Sequence, residues 1–230
     1  MHTADEELIA RVRRELSAAG DPDRAVAMQR YMKSEMRFHG VRRPEVRSIC
    51  RIIFDEHPLH SERAVEATVE QMFTTADRRE ERYAALELAR HRRYRSYQTP
   101  DRVPLYRALI VAGAWWDIVD EIAANLIGPI LCSDPDRVRP TIVGWATDPD
   151  LWLRRTAIIA QLAARQNTDL DLLTAVIDAN ADDPDFFIRK AIGWALRQYA
   201  RTEPDWVRAF VAAREDRLSG LSKREACKHL

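Results

Sequence analysis

The feature that most constrains this chain is an internal repeat. Asp148-Pro149-Asp150-Leu151-Trp152-Leu153-Arg154-Arg155 aligns position by position with Asp183-Pro184-Asp185-Phe186-Phe187-Ile188-Arg189-Lys190, thirty-five residues later. One period earlier the register falls on Trp115-Trp116-Asp117-Ile118-Val119-Asp120, where Ile118 coincides with Leu153 and Ile188. With only 7 glycines in 230 residues and no sustained apolar-polar alternation between hairpin turns, strands are not expected. The recurring unit is instead a short amphipathic run rich in Ala, Leu and Arg, opened by Asp-Pro at 21, 134, 148 and 183, the pattern of a capped helix with proline in its first turn. About a dozen helices of roughly 10–17 residues with short loops are predicted. A period of this length in an all-α chain implies stacked helix pairs of the HEAT or armadillo kind, each too small to bury its own apolar face. The expectation is a right-handed superhelical solenoid of HEAT-like helix pairs with a concave basic groove, in one domain over residues 1–230.

Composition narrows the function classes. At 46% hydrophobic and 31% charged residues the chain has a globular balance, and no apolar run of about 18 residues could span a bilayer. The start MHTADEEL is acidic where a signal peptide would be basic, so a cytoplasmic location is expected. Cys50, Cys132 and Cys227 form no metal-binding spacing and read as buried free thiols; the six histidines lack ligand spacing too, so no metal and no cofactor are predicted. Charge sums to zero but is unevenly spread. Residues 30–54 and 78–107 each carry a surplus of +5, and four cations meet no acid between Arg189 and Thr202. Acids gather at Asp169, Asp171, Asp178, Asp182, Asp183 and Asp185. Such a distribution lets one surface attract phosphate although the total vanishes, while each block can equally be a solvated helix face.

Equivalent positions of successive repeats are neighbours on one face, so Asp120, Arg155 and Lys190 should form a column, flanked by Arg154 and Arg189. Inter-repeat salt bridging is the plain reading of that column. The aromatic placement adds a second: Trp116 lies one helical turn before Asp120, Trp194 one turn after Lys190, and Tyr31 follows Arg30 in the first basic block. Trp115, Trp145, Trp152 and Trp206 read as ordinary core.

At these residues the chain resembles the bacterial DNA alkylation repair enzymes of HEAT-like repeat type, the AlkD-like alkylpurine DNA glycosylases. The resemblance spans nearly the whole chain. It is carried by Tyr31-Met32-Lys33 with Phe38 to Arg47, by Trp115 to Asp120, by Leu151 to Ala157, by Phe186 to Arg197 and by Ser222 to Ala226. It implies a catalytic carboxylate at Asp120, aromatic contacts to the damaged nucleotide from Trp116 and Trp194, an essential Arg155, and a DNA-contacting Tyr31. Lys33, Arg42, Arg43, Arg154, Arg189 and Lys190 are the expected phosphate contacts. The implied partner is duplex DNA containing alkylated purines, acted on by a monomer that meets the nucleoid. The implied reaction is hydrolysis of the N-glycosidic bond of cationic lesions such as 3-methyladenine and 7-methylguanine, without base flipping. A DNA-binding solenoid without catalysis and a protein-interaction adaptor are the two alternatives. Arg155 could hold a phosphate or hold Asp120, and the sequence does not separate these roles.

Overall fold

The computed structural model describes residues 3–230, and among them every regular element is helical. The chain divides into two compact units, with the division between Gln98 and Thr99. Helices run from 6 to 14 residues, shorter at the lower end than the periodicity suggests. No helix is long and apolar enough to cross a membrane.

In the N-terminal unit, α1 (Glu6–Ala18), α3 (Arg43–Glu56), α4 (Glu62–Thr74) and α5 (Arg79–Ala89) pack together, while α2 (Pro22–Met32) lies between α1 and α3 in sequence. The 3-10 turn Arg92–Tyr97 follows α5. Apolar spacing explains the packing: Leu8, Val12 and Leu16 of α1, and Val46, Cys50, Ile53 and Phe54 of α3, recur every three or four residues and are all buried. Two carboxylates tie the loop before α3 to α5. Glu80 accepts the backbone N–H groups of His39, Gly40 and Val41 at 2.9, 2.9 and 3.0 Å. Glu81 takes the His39 ring at 3.1 Å and Arg13 Nε at 3.0 Å. Gly40 has φ +89°, and a Cβ there would stand 2.1 Å from the Asp21 carbonyl, so only glycine fits this close approach.

The C-terminal unit holds the repeat. α6 (Val103–Gly113) leads into α7 (Trp116–Ile122), which continues through a π-type turn (Ala123–Ile127) into α8 (Gly128–Ser133). α9 (Pro135–Trp145), α10 (Leu151–Ile159), α11 (Leu170–Asp178), α12 (Phe186–Tyr199), α13 (Pro204–Ala212) and α14 (Gly220–Ala226) follow. α7, α10, α12 and α14 pack in succession as one row, and α9 and α11 back α10 from a second layer. This is the helix-pair stacking the thirty-five-residue period demands.

The Asp-Pro signals divide into two kinds. Asp21 and Asp134 cap α2 and α9 as expected, accepting N–H groups three residues on, with proline at the first helical position. Asp148 and Asp183 do not cap: their carboxylates accept the N–H of Asp150 and Asp185 at 2.9 and 2.8 Å, closing an Asx-type turn. The caps are Asp150 and Asp185, which receive N–H groups from Trp152 and Leu153, and from Phe187 and Ile188. The repeat therefore conserves a whole Asp-Pro-Asp device at the start of α10 and α12.

Two readings of side-chain burial need correction. Cys50 is buried, and burial pushes its thiol well above the usual range, but Cys132 and Cys227 are exposed. Trp145 and Trp152 are core, whereas Trp115 and Trp206 are half-buried. Both still pack on rings: Trp115 on Trp152 and Phe187 at 5.9 and 5.5 Å, Trp206 on Phe210 at 4.9 Å.

Candidate functional site

Ala114 adopts a left-handed conformation, φ 32° and ψ 42°, at the end of α6. A non-glycine residue there is strained. It turns the chain so that α7 opens at Trp116, and the helical period then places Asp120 one turn further along the same face. α10 is the next helix in the row. Its Arg155 donates Nε to Asp120 Oδ1 at 2.7 Å and Nη2 to Asp120 Oδ2 at 2.9 Å, a bidentate fork on the carboxylate. Its remaining terminal nitrogen, Nη1, donates to the Phe187 carbonyl at 2.6 Å, in the first turn of α12. Arg155 is 5% exposed and its guanidinium carbon lies 6.0 Å from the Phe187 ring. Between the two roles the sequence left open, this geometry puts Arg155 on Asp120.

The carboxylate is held, not sealed. Its side chain keeps 16% of its surface. Burial raises its pKa, the Arg155 hydrogen bonds and charge oppose that rise, and the neighbouring Asp117 adds to it; the net result lies above the ordinary aspartate value.

The expected column resolves into two ion pairs. Lys190 does not turn toward Asp120 and Arg155; its Nζ meets Glu225 Oε1 on α14 at 2.8 Å, and Arg197 reaches the other oxygen at 2.6 Å. Glu225 enters the sequence reading only within the Ser222 to Ala226 motif and not as a member of the column, although it stands one further period after Lys190 and the register alone points to it. α12 and α14 come close enough for this because of Gly193, where a Cβ would lie 2.4 Å from Glu225 Cβ.

Trp194 is half-buried and lines an open cleft of about 490 Å³ with Ala124, Gln198 and the 3-10 turn Arg165–Asn167. Ala124 follows Asp120 along α7 into the π-type turn, so one helix serves both the carboxylate and the cleft wall. Among the described residues no other ring packs on Trp116 or Trp194, in contrast to the Trp115, Trp152 and Phe187 cluster. Both indoles are therefore half-buried without an aromatic partner.

Tyr31 belongs to the N-terminal unit and is 76% exposed in the last turn of α2. Lys33 follows it in a left-handed conformation, and Lys33 and Arg42 are exposed. The other expected phosphate contacts are engaged by the fold: Arg43 lies 4.1 Å over the Tyr83 ring, Arg154 bonds Asp183 at 3.1 Å, and Arg189 Nε donates to the Asp185 carbonyl at 3.4 Å. Lys190 is paired as described. Several members of the second basic block are inward as well, since Arg79 and Arg102 are buried and Arg82 covers Phe73. Many of the clustered acids answer arginines elsewhere in the C-terminal unit, as Asp169 does Arg139, Asp178 does Arg214 and Asp182 does Arg217. Among the described residues no group of three or more His, Cys, Asp or Glu could hold a metal ion.

Comparison with known proteins places the helical fold. A solved structure described as a predicted DNA alkylation repair enzyme from Enterococcus faecalis is similar at a TM-score of 0.81 and 31% identity, over 92% of this chain and 96% of that one. A search of the curated proteins finds no match. The profile of the DNA alkylation repair enzymes matches residues 12–230. A helical row of this topology, matched by family profile along almost its whole length, makes the chain a member of the DNA alkylation repair enzyme family.

Proposed function

We propose that this repair enzyme is an alkylpurine DNA glycosylase, and that it hydrolyses the N-glycosidic bond of positively charged lesions such as 3-methyladenine and 7-methylguanine in duplex DNA. The observation that carries the reading is Asp120: a carboxylate clamped through both oxygens by Arg155 and still partly exposed.

The chemistry suits one carboxylate acting alone. A cationic purine is already a good leaving group, so no general acid is required to protonate it. As the bond lengthens, positive charge passes to the deoxyribose. A fixed anion stabilises that charge without reorganising during the reaction, and a group of this kind is worth about 10²–10³ in rate. The fork of Arg155 removes the rotational freedom of the carboxylate, which is the preorganisation such catalysis needs. Asp120 also serves to orient the attacking water. Trp116 and Trp194 offer electron-rich faces to the same cation, each worth about 0.5–2 kcal/mol.

The cleft beside Trp194 is open, which favours engagement of sugar and phosphate over capture of an extruded base in a closed pocket. In this proposal the base stays stacked, the protein works as a monomer, and Tyr31, Lys33 and Arg42 bind the duplex electrostatically. The test is release of methylated purines from methylated duplex DNA by purified protein. Salt-sensitive duplex binding without any base release would leave the non-catalytic DNA binder as the function, and absence of both would leave the adaptor.

A further inference from the structure

A second cavity lies in the N-terminal unit, on α3, α5 and the turn after it. It has a volume of about 190 Å³, and its polar rim is Arg47, Arg51, Glu87, Arg90, His91 and Arg92 over a floor of Cys50 and Phe54. Four guanidinium groups face a single lining carboxylate. Glu87 is 3.3 Å from Arg47 Nε and 3.7 Å from Arg90 Nε, and Asp55 beside the cavity takes Arg92 at 3.0 Å. Arg51 stands one turn after Arg47 on α3, is exposed, and has no carboxylate partner among the described residues.

The second observation is independent of charge. His91 is 8% exposed, yet neither ring nitrogen has a hydrogen-bond partner. Its nearest carboxylate oxygen, on Asp55, is 3.6 Å from Nε2, too far for a hydrogen bond. The ring is fixed between Phe54 and Tyr94, with centroids at 5.9 and 5.8 Å. A buried polar ring without partners is costly, and native proteins seldom keep one unless something answers it. Here the ring lines the cavity on which the arginines converge.

We propose that this cavity is a phosphate-binding site, with His91 and the guanidinium groups of Arg47, Arg51 and Arg90 as donors to the phosphate oxygens. Donors approach from two helices and a turn, which matches an anion with oxygens on several sides better than a planar carboxylate; arginine forks suit phosphate in geometry and charge. The volume, about six times the share of one water in the liquid, holds a phosphate and the first atoms of an ester. The phosphate can belong to a nucleic-acid backbone or to a small phosphoester, and the donor set is the same for both. This site belongs to the N-terminal unit and Asp120 to the C-terminal one, and the proposal stands whether or not the protein excises bases.

The test is a titration of the full chain with inorganic phosphate at constant ionic strength, following the His91 ring signals by NMR, with acetate as the reference anion. A saturable shift with phosphate, absent with acetate, and at least tenfold weaker binding in Arg51→Glu are expected. Arg47→Glu is the second variant, since both side chains are exposed and lie outside the core. No saturable shift, an equal response to acetate, or unchanged affinity in both variants would overturn the proposal. Adding unmodified duplex then identifies the source: displacement of phosphate assigns the site to a backbone phosphodiester, and retention assigns it to a small phosphoester.

Discussion

Asp120 and Arg155 stand one repeat apart and join through two parallel charge-assisted hydrogen bonds of 2.7 and 2.9 Å, on neighbouring helices of one row. The pair fixes the register of α7 against α10 and aims the carboxylate at the same time. Because Arg155 is almost wholly buried and Asp120 largely so, neither charge can fall back on water if the other is removed. Arg155→Ala should therefore destabilise the protein by about 3–5 kcal/mol. Arg155→Lys keeps the charge without the fork, so it should lose less stability yet still lose excision. Urea unfolding of both variants checks this, and a wild-type midpoint for Arg155→Ala would show the pair to be idle.

The raised pKa of Asp120 gives a pH signature with a definite sign. Its unfolded value is near 3.8 and its folded value is higher, so between the two the folded state binds more protons. Its contribution to stability is complete below the unfolded value and is lost as pH rises through the folded one. Activity runs the other way, since the anion is the working form. The acid limb of kcat/KM should lie above 3.8, and a limb at or below that value would separate Asp120 from the rate.

Glu81 has the opposite sign. Burial pushes its pKa up, but the His39 ring, the Asp77 N–H and Arg13 outweigh it and hold it below 4.5. Its contribution is present above 4.5 and is lost as pH falls through the lower folded value. Glu81→Gln should cost about 1–3 kcal/mol at neutral pH, and its deficit relative to wild type should shrink on acidification. Denaturant melts at neutral and acid pH report both, and a deficit that grows in acid would refute the assignment.

The tryptophans should divide into two classes. Trp152 packs on Trp115 and Phe187 and is 8% exposed, so Trp152→Ala should cost about 3–5 kcal/mol. Trp194 is half-buried and is not engaged by another ring, so Trp194→Ala should cost clearly less stability than Trp152→Ala while excision falls roughly 2- to 30-fold, the loss of one cation–π contact. Equal effects of the two substitutions on stability and rate would contradict the division.

How far the sequence revealed this depended on the physics involved. Helix starts and the repeat were legible because capping and periodicity are local, and the thirty-five-residue offset alone puts Asp120 beside Arg155. The choice of partner for Lys190 was not, because a long side chain at a repeat junction can reach either neighbour and only the close approach at Gly193 brings Glu225 within 2.8 Å. Charge counting also misjudged the second basic block, since a tally cannot see that Arg79 and Arg102 are buried. The cap at Asp150 instead of Asp148 turned on an Asx-type turn that either residue could have formed. The left-handed Ala114 and the π-type turn after Ile122 carry no residue signal at all, and both help position the site.

The role of Asp120 is decided by single-turnover excision from a methylated duplex by the wild type and by Asp120→Asn, with duplex affinity measured on the same preparations. The substitution keeps the shape and removes the anion. The wild type should release methylated purine, and the variant should bind the duplex with similar affinity while its rate falls by about 10²–10³ or more. Excision by Asp120→Asn at the wild-type rate, or affinity lost in step with the rate, would contradict that role.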